Sequence, residues 1–360
     1  MPDPFAADLR GRVQARLDAE VDRQARTLAE IGPDAGDIVE PIRDLLRGGK
    51  RLRAAFVYWG WRAAGRPDDD GAVGLAAAME LFQAAALLHD DVMDDSDTRR
   101  GRPAAHRVLE RAHTDRGWIG DGARFGASGA ILAGDLCLGW CEDLYSGCGL
   151  PHEALAAARP VFERMRTQLM AGQYIDVVTA ARPWHDLPEA ERVERARHVI
   201  RYKSAKYSVE HPLLIGACAG GAGAADVEAL SRYGVALGEA FQLRDDLLGV
   251  FGDPEATGKP AGDDLREGKR TVLVAHALGG ADDLDGRRIE TWLGDADLTD
   301  QDVEAFRAVL VDTGAVAAVE RDIERGCAQA RDALAGAPGL EPQARQVLEE
   351  LVDLLTARSA

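Results

Sequence analysis

Between Leu87 and Pro103 the chain reads LLHDDVMDDSDTRRGRP, its densest run of charge. On a helix, Asp90 and Asp94 stand at i and i+4 on one face, with Asp91 beside them. Two carboxylates one turn apart, with no counter-charge between them, repel unless a cation joins them. Hard oxygen ligands suit Mg2+, which takes one or two protein carboxylates and completes its shell with water and substrate phosphates. Arg99 and Arg100 follow at once and can fork onto phosphate oxygens. Most charge runs are solvated helix ends. Here the preceding turn, Ala84 to Leu88, is apolar, so the acids emerge from a hydrophobic wall, as at the rim of a cavity.

A second cluster lies in FQLRDDLLGVFGDPEATGKPAGDDLREGKR, residues 241–270. Asp245 and Asp246 end a long helical segment that is apolar on one side. Gln242 sits close to one turn before them. A glycine- and proline-rich loop then carries Lys259, with Lys269 beyond it. Two acidic helix ends with lysines nearby are what a metal-bridged diphosphate requires.

The elements that must position these groups read as helices. Candidate helices cover 5–31, 73–98, 130–145, 152–180, 189–209, 212–219, 225–250, 269–277, 299–312, 315–335 and 341–357. A glycine-rich stretch, 117–129, precedes the third of them. RPDDDG, ARPWHDLP and LGGADDLDG read as loops. No alternating strand pattern and no Asn-Gly hairpin appear. The expectation is an all-α protein, one domain over residues 1–360, built as a single large bundle of packed helices.

The 360 residues carry 43 basic and 61 acidic side chains, a net charge of −18, which excludes a general nucleic-acid binder. Only five of the 43 basic residues are lysine: Lys50, Lys203, Lys206, Lys259 and Lys269. The five cysteines are odd in number and form no CxxC pair, as expected of reduced thiols in the cytoplasm. The start, MPDPFAADLRGRVQ, lacks the apolar core of a signal peptide. The longest apolar stretch, Leu75 to Leu88, is shorter than the roughly 20 residues a membrane span needs.

With these residues in place, the chain resembles the trans-isoprenyl diphosphate synthases, the family of farnesyl and geranylgeranyl diphosphate synthases. GGKRLR at 48–53 resembles that family's isopentenyl diphosphate loop. Asp90, Asp91 and Asp94 match its first DDxxD motif, GASGAILAGDL at 126–136 the helix that follows, and KSAKYS at 203–208 its Lys-Thr site, with serine for threonine. FQLRDD and GKPAGDDLREGK carry its second aspartate-rich region. One position departs: the last aspartate of the second motif is Gly249.

The resemblance implies the isoprenoid synthase fold, helices around a central cavity, assembled as a homodimer. It implies an allylic diphosphate bound through about three Mg2+ ions to Asp90, Asp91, Asp94 and Asp245, ionised, and condensed with isopentenyl diphosphate. Lys50, Arg53, Gln83 and Arg100 fall on isopentenyl diphosphate. Arg99, Lys203 and Lys259 fall on the allylic diphosphate, with Lys269 close by. Ser204 and Gln242 would point oxygen dipoles at the cation, with Tyr207 beside them. Plainer readings attach to other residues: Arg51 as a surface or helix-start residue, Asp95 and Asp97 as solvated acids, Lys206 as a salt-bridge partner. Asp263 and Asp264 read as helix caps, His89 as a satisfied histidine, and Trp59 and Trp61 as core.

The product tail should run along the helix that bears Asp90. Family members that stop at farnesyl diphosphate commonly carry bulky side chains four and five positions upstream. Here those positions are Ala86 and Ala85, and the next large residue is Phe82, about 12 Å deeper by helix rise. The expected product is therefore geranylgeranyl diphosphate. The rivals are a farnesyl or longer-chain synthase, a class I terpene cyclase, which has no second diphosphate for GGKRLR to hold, and a catalytically silent partner subunit.

Overall fold

The computed structural model describes residues 8–184, 187–252 and 262–357. Within them run α1 Leu9–Ile31, α2 Val39–Leu46, α3 Leu52–Ala63, α4 Asp70–Met93, α5 Ala105–Asp115, α6 Gly122–Ser146, α7 His152–Ala181 and α8 Glu189–Val199. A π-helical segment, Ile200–Glu210, leads into α9 His211–Gly220 and α10 Ala224–Phe251. Then follow α11 Asp263–Arg266, α12 Val272–Gly280, α13 Asp283–Trp292, α14 Asp300–Asp312, α15 Ala315–Ala335 and α16 Pro342–Thr356. The all-α expectation holds. The chain divides into two compact units, Met1–Ala158 with Ile215–Ala222, and Arg159–Leu214 with Gly223–Ala360.

In the first unit α4 is the core helix, packed on α1, α3 and α6. It is apolar nearly all round, the pattern of a helix buried on every side. By length and composition α4 could cross a bilayer, contrary to the count of apolar residues in sequence, but 83% of its 18-residue window is buried inside the protein. Trp59 and Trp61 on α3 are buried beside it, as expected. The Asp69 carboxylate starts α4 by accepting from the Gly71 and Ala72 amides at 2.7 and 3.3 Å.

Helix α4 stops at Met93, five residues before the expected end. Acids crowd its C-terminus, where the helix dipole disfavours negative charge. Asp95 then takes a left-handed φ of 51°, and Thr98–Arg99 pairs antiparallel with Arg102–Pro103. This two-residue hairpin was not legible as a strand pattern. Arg100 and Gly101 both have positive φ (54° and 72°), which is what a tight hairpin turn between twisted strands needs.

Helix α6 begins eight residues before the expected start, taking in much of the glycine-rich stretch. The reason is tertiary. A side chain at Gly126 would run into the His106 carbonyl and lie 3.0 Å from the Glu110 amide, so glycine lets α5 and α6 touch. Close packing outweighs glycine's poor helix propensity. Helix α13, in a segment expected to be loop, is started by Asp282, whose carboxylate accepts from the amides of Leu284 and Asp285, both at 2.9 Å.

In the second unit α10 packs on the π-helical segment and on α15. The expected helix 189–209 is thus two structures in series. The wider π turn is stabilised by helices that come unusually near. A Cβ at Gly238 would lie 2.7 Å from Ala205 Cα, one at Gly234 2.5 Å from Glu210 Cα, and one at Gly172 of α7 2.5 Å from the Tyr202 carbonyl carbon.

Candidate active site

In the first unit, six positions of α4 stay half-buried, and four of them, Gln83, Ala86, Leu87 and Asp90, share one face. Their spacing, i, i+3, i+4 and i+7, makes one stripe along the helix. Asp90 ends the stripe, and Asp94, the exposed residue that closes the helix, lies one turn on. Asp91 points elsewhere. It is 2% exposed, and Arg99 Nε donates to its Oδ1 at 2.8 Å. Burial pushes the Asp91 carboxyl up, opposed by Arg99. Arg99 is thus engaged by Asp91 and stands 4.0 Å from Asp90 Oδ2. The three aspartates of the motif are unequal: Asp94 is exposed and Asp90 half-buried, while Asp91 is buried and orients Arg99.

The GGKR loop bends through left-handed backbone at Gly48, Gly49 and Arg51 (φ 76°, 90° and 54°). Arg51 is a helix-start residue, as expected, but it is not on the surface. It is 5% exposed, and its guanidinium donates to Glu80 Oε2 at 3.2 Å, to Gln14 Oε1 at 2.5 Å and to the Leu46 carbonyl. Glu80 also accepts from the Ala54 amide at 3.1 Å. This buried pair fixes the loop to α4 and leaves Lys50 exposed and Arg53 half-buried at the start of α3.

Arg100, raised on the hairpin turn, reaches back to the same loop. Its Nη1 donates to the Leu45 carbonyl at 3.1 Å, and a Cβ at Gly49 would sit 3.1 Å from it. The Arg100 guanidinium is held below its ordinary range, first by desolvation and then by the like charge of Arg51, with Arg99 and Arg53 adding to it; Glu80 alone opposes. With Arg51 paired to Glu80 and Arg99 to Asp91, Arg100 still meets more like charge than opposite charge. On α4, Gln83 Oε1 is buried without a hydrogen-bond partner among the described residues.

In the second unit the π-helical segment carries Lys203, Ser204 and Tyr207. Lys203 Nζ donates to Asp176 Oδ2 at 2.7 Å. Asp176, on α7, was missed in the sequence. Its only signal is an acid inside the apolar run QYIDVV, on a helix whose partner the sequence does not name. Lys206 is the salt-bridge partner expected, 2.6 Å from Glu210, which also accepts from Ser231 Oγ at 2.6 Å.

On α10, Asp245 is exposed and Asp246 buried. Gln242 Nε2 donates to Asp246 Oδ1 at 2.8 Å. Burial, then the charges of Asp264 and Asp245, push the Asp246 carboxyl up to about 8, with Gln242 opposing. Arg244, on the other side of the helix, bolts α10 to α15 by two 2.8 Å bonds to Glu320. Lys269 is held by Asp264 at 2.8 Å and Glu267 at 2.6 Å. Burial lowers its ammonium and these two carboxylates more than offset that, so it stays charged. Lys259 lies outside the described residues.

Of the remaining acids, Asp95 and Asp97 are exposed, each accepting from Arg107, at 2.9 and 2.7 Å. His89 is satisfied at Nε2 by the Ile131 carbonyl at 3.0 Å. Among the described residues no three His, Cys, Asp or Glu side chains converge into a closed metal site. The acidic segments offer carboxylate oxygens, with Asp94 and Asp245 exposed and Asp90 half-buried. That set fits Mg2+, which takes few protein ligands and leaves its other positions to water and phosphate.

An all-α chain with two aspartate-bearing helix ends and arginines gathered for an anion defines a class of enzymes that work on diphosphates. Residues 37–310 match the polyprenyl synthetase family, and the chain belongs to that family; it is a prenyltransferase, a trans-isoprenyl diphosphate synthase. It is 32% identical to a geranylfarnesyl diphosphate synthase of Aeropyrum pernix over 86% of this chain and 91% of that one. It is 35% identical to a (2E,6E)-farnesyl diphosphate synthase of Mycobacterium tuberculosis, over 69% of this chain and 61% of that one. A geranylgeranyl pyrophosphate synthase from Corynebacterium glutamicum, crystallised with isoprenyl diphosphate and magnesium, is similar with a TM-score of 0.92 and 38% identity, covering 98% of this chain and 99% of that one.

The raised Asp246 carboxyl has a consequence for stability. Between the ordinary aspartate value, roughly 4, and about 8, the folded protein holds a proton that the unfolded chain has lost. This contribution is complete at acid pH and is lost as pH rises through about 8. In chelator-treated protein, the melting temperature of the wild type relative to Asp246→Asn therefore falls as pH is raised across that window. Parallel melting curves at every pH would contradict the assignment.

Proposed function

We propose that the protein condenses isopentenyl diphosphate with an allylic diphosphate to give mainly geranylgeranyl diphosphate. The observation that carries this is the stripe along α4. Its half-buried positions run from Asp90 through Leu87, Ala86 and Gln83, and stop at Phe82, which is 1% exposed. A tail growing from a diphosphate at Asp90 meets alanine at the fourth position upstream and its first large obstacle at Phe82, about 12 Å down the helix. Relatives that make farnesyl, geranylgeranyl and geranylfarnesyl products are all similar to this chain, so the length rests on these side chains.

In this reading Lys50, Arg53, Gln83 and Arg100 hold isopentenyl diphosphate without metal. Removing the mutual repulsion around Arg100 is part of what binding that anion gains. By the family motifs, Asp90 and Asp94 of the first unit and Asp245 of the second are assigned to about three Mg2+ ions, which would neutralise the diphosphate leaving group. Arg99, set by Asp91, and Lys203, set by Asp176, bind its remaining oxygens. Lys259 is assigned there by its motif alone. The Ser204 and Gln242 oxygens face the allylic cation that forms. The double bond of isopentenyl diphosphate attacks that cation, a proton is lost to the departing diphosphate, and no protein base is required.

We also propose a homodimer. Phe125, Ile131 and Leu132 of α6, with Val108 of α5 and Ile119 between them, are large exposed apolar residues in one short stretch of chain. Such a patch marks a contact surface, and a second copy is the occupant expected of this family. Ile131→Asp with Leu132→Asp should convert the dimer to monomer in sedimentation equilibrium; an unchanged mass would exclude this surface.

Two activity measurements test the rest. Labelled isopentenyl diphosphate, an allylic primer and Mg2+ should give prenyl transfer, and Asp90→Ala should reduce it by at least about a hundredfold; full activity in that variant would refute the metal assignment. Ala86→Phe should shorten the main product to farnesyl diphosphate. Ala85 is fully buried, so a ring there would overpack the core instead. A wild type that already stops at farnesyl, or an unshortened Ala86→Phe product, would remove Phe82 as the floor.

A further inference from the structure

Gly249 stands one helical turn after Asp245, where the second motif of the family carries an aspartate. The position is not simply vacant. A Cβ built on Gly249 would collide with Asp264 Oδ2 and come 2.7 Å from Asp264 Cγ. The carboxylate of a different element therefore fills the space that the motif's own side chain would enter.

Asp264 is held firmly in that place. Its helix, α11, turns on Gly262, whose carbonyl accepts from the Leu265 and Arg266 amides at 3.0 and 3.2 Å. Leu265 is 1% exposed, its carbonyl accepts from the Gly294 amide at 2.8 Å, and Arg266 donates to the Leu298 carbonyl at 3.0 Å. The Lys269 amide closes the turn onto the Asp264 carbonyl at 3.0 Å. With Oδ2 over Gly249, Asp264 Oδ1 accepts from Lys269 Nζ at 2.8 Å. One carboxylate thus touches the acidic helix and carries the lysine of the following segment to it.

We propose that Asp264 is a positioning residue that takes the place of the aspartate missing at Gly249, and that the bare glycine is required as its seat. This rests on the reading of Asp245 as a ligand for Mg2+ and diphosphate. It inverts the ordinary expectation for an incomplete motif: restoring the family aspartate, Gly249→Asp, should damage the site, because two carboxylates would compete for one space.

The test uses full-length protein with Mg2+ and inorganic pyrophosphate as the probe. The readouts are the rise in melting temperature on adding both and, separately, prenyl transfer against Mg2+ concentration. Gly249→Asp and Asp264→Asn should each lose most of the thermal rise and need several-fold more Mg2+ for half-maximal activity. Asp264→Asn keeps the shape of the side chain, so it reports the charge even if Gly249→Asp folds poorly. The double variant Gly249→Asp with Asp264→Ala, which moves the carboxylate back to α10, should recover much of the thermal rise that Gly249→Asp loses, a coupling that independent sites do not show. A Gly249→Asp protein that matches the wild type, an unaffected Asp264→Asn, or a double variant no better than Gly249→Asp would each overturn the inference. A wild type that responds thermally but transfers no prenyl group would instead refute the functional reading.

Discussion

Charges of one sign held together at the edge of a protein interior cost free energy until an ion of the other sign completes them. Both units of this molecule are organised around that constraint. In the first, desolvation and then the like charges of Arg51, Arg99 and Arg53 hold the Arg100 guanidinium below its ordinary range, with Glu80 opposing, while Asp90 and Asp94 stand one turn apart. In the second, burial first, and then the charges of Asp264 and Asp245, raise the Asp246 carboxyl to about 8. The arginine set wants an anion and the aspartate sets want cations. A diphosphate with Mg2+ supplies both, and a diphosphate without metal suits the arginine set alone.

Such groups must be held against their own repulsion, and the structure does this with oppositely charged partners that take no part in the chemistry. Arg51 and Glu80 lock the GGKR loop onto α4. Asp91 turns Arg99, Asp176 turns Lys203, and Arg244 with Glu320 ties down the helix of the second motif. Each pair joins residues from separate elements or opposite ends of a turn, so the functional group is oriented by a charge from another part of the fold. Glycines make room for the same elements. Gly234 and Gly238 let α10 lie against the backbone of the π-helical segment, and the broader turn there displays Lys203, Ser204 and Tyr207. π turns recur at functional sites for this reason.

The four lysines among the described residues separate by role. Lys50 stays exposed in its strained loop. Lys203 and Lys269 are set by carboxylates, and Lys206 belongs to the packing of the π-helical segment through Glu210. A compact ammonium on a flexible stem can exchange a carboxylate for a phosphate oxygen as a ligand arrives, which a rigid guanidinium fork does less readily.

The helical class, the two acidic segments and the stripe of small residues upstream of Asp90 were all determined by the sequence itself, because helical periodicity and the spacing of like charges are local properties. What was out of reach depended on residues distant in the chain. The sequence showed DDVMD as one motif, but only packing makes Asp91 inward and Asp90 and Asp94 outward. It showed a helix through residues 189–209, but glycines some 30 residues away on either side widen its end into a π turn. It showed Arg51 at a helix start, but not Glu80 to bury it against. It showed a motif broken at Gly249, and the fold decided that the gap is occupied. A free side chain obeys local rules; a buried charge obeys whichever partner the tertiary structure brings within reach.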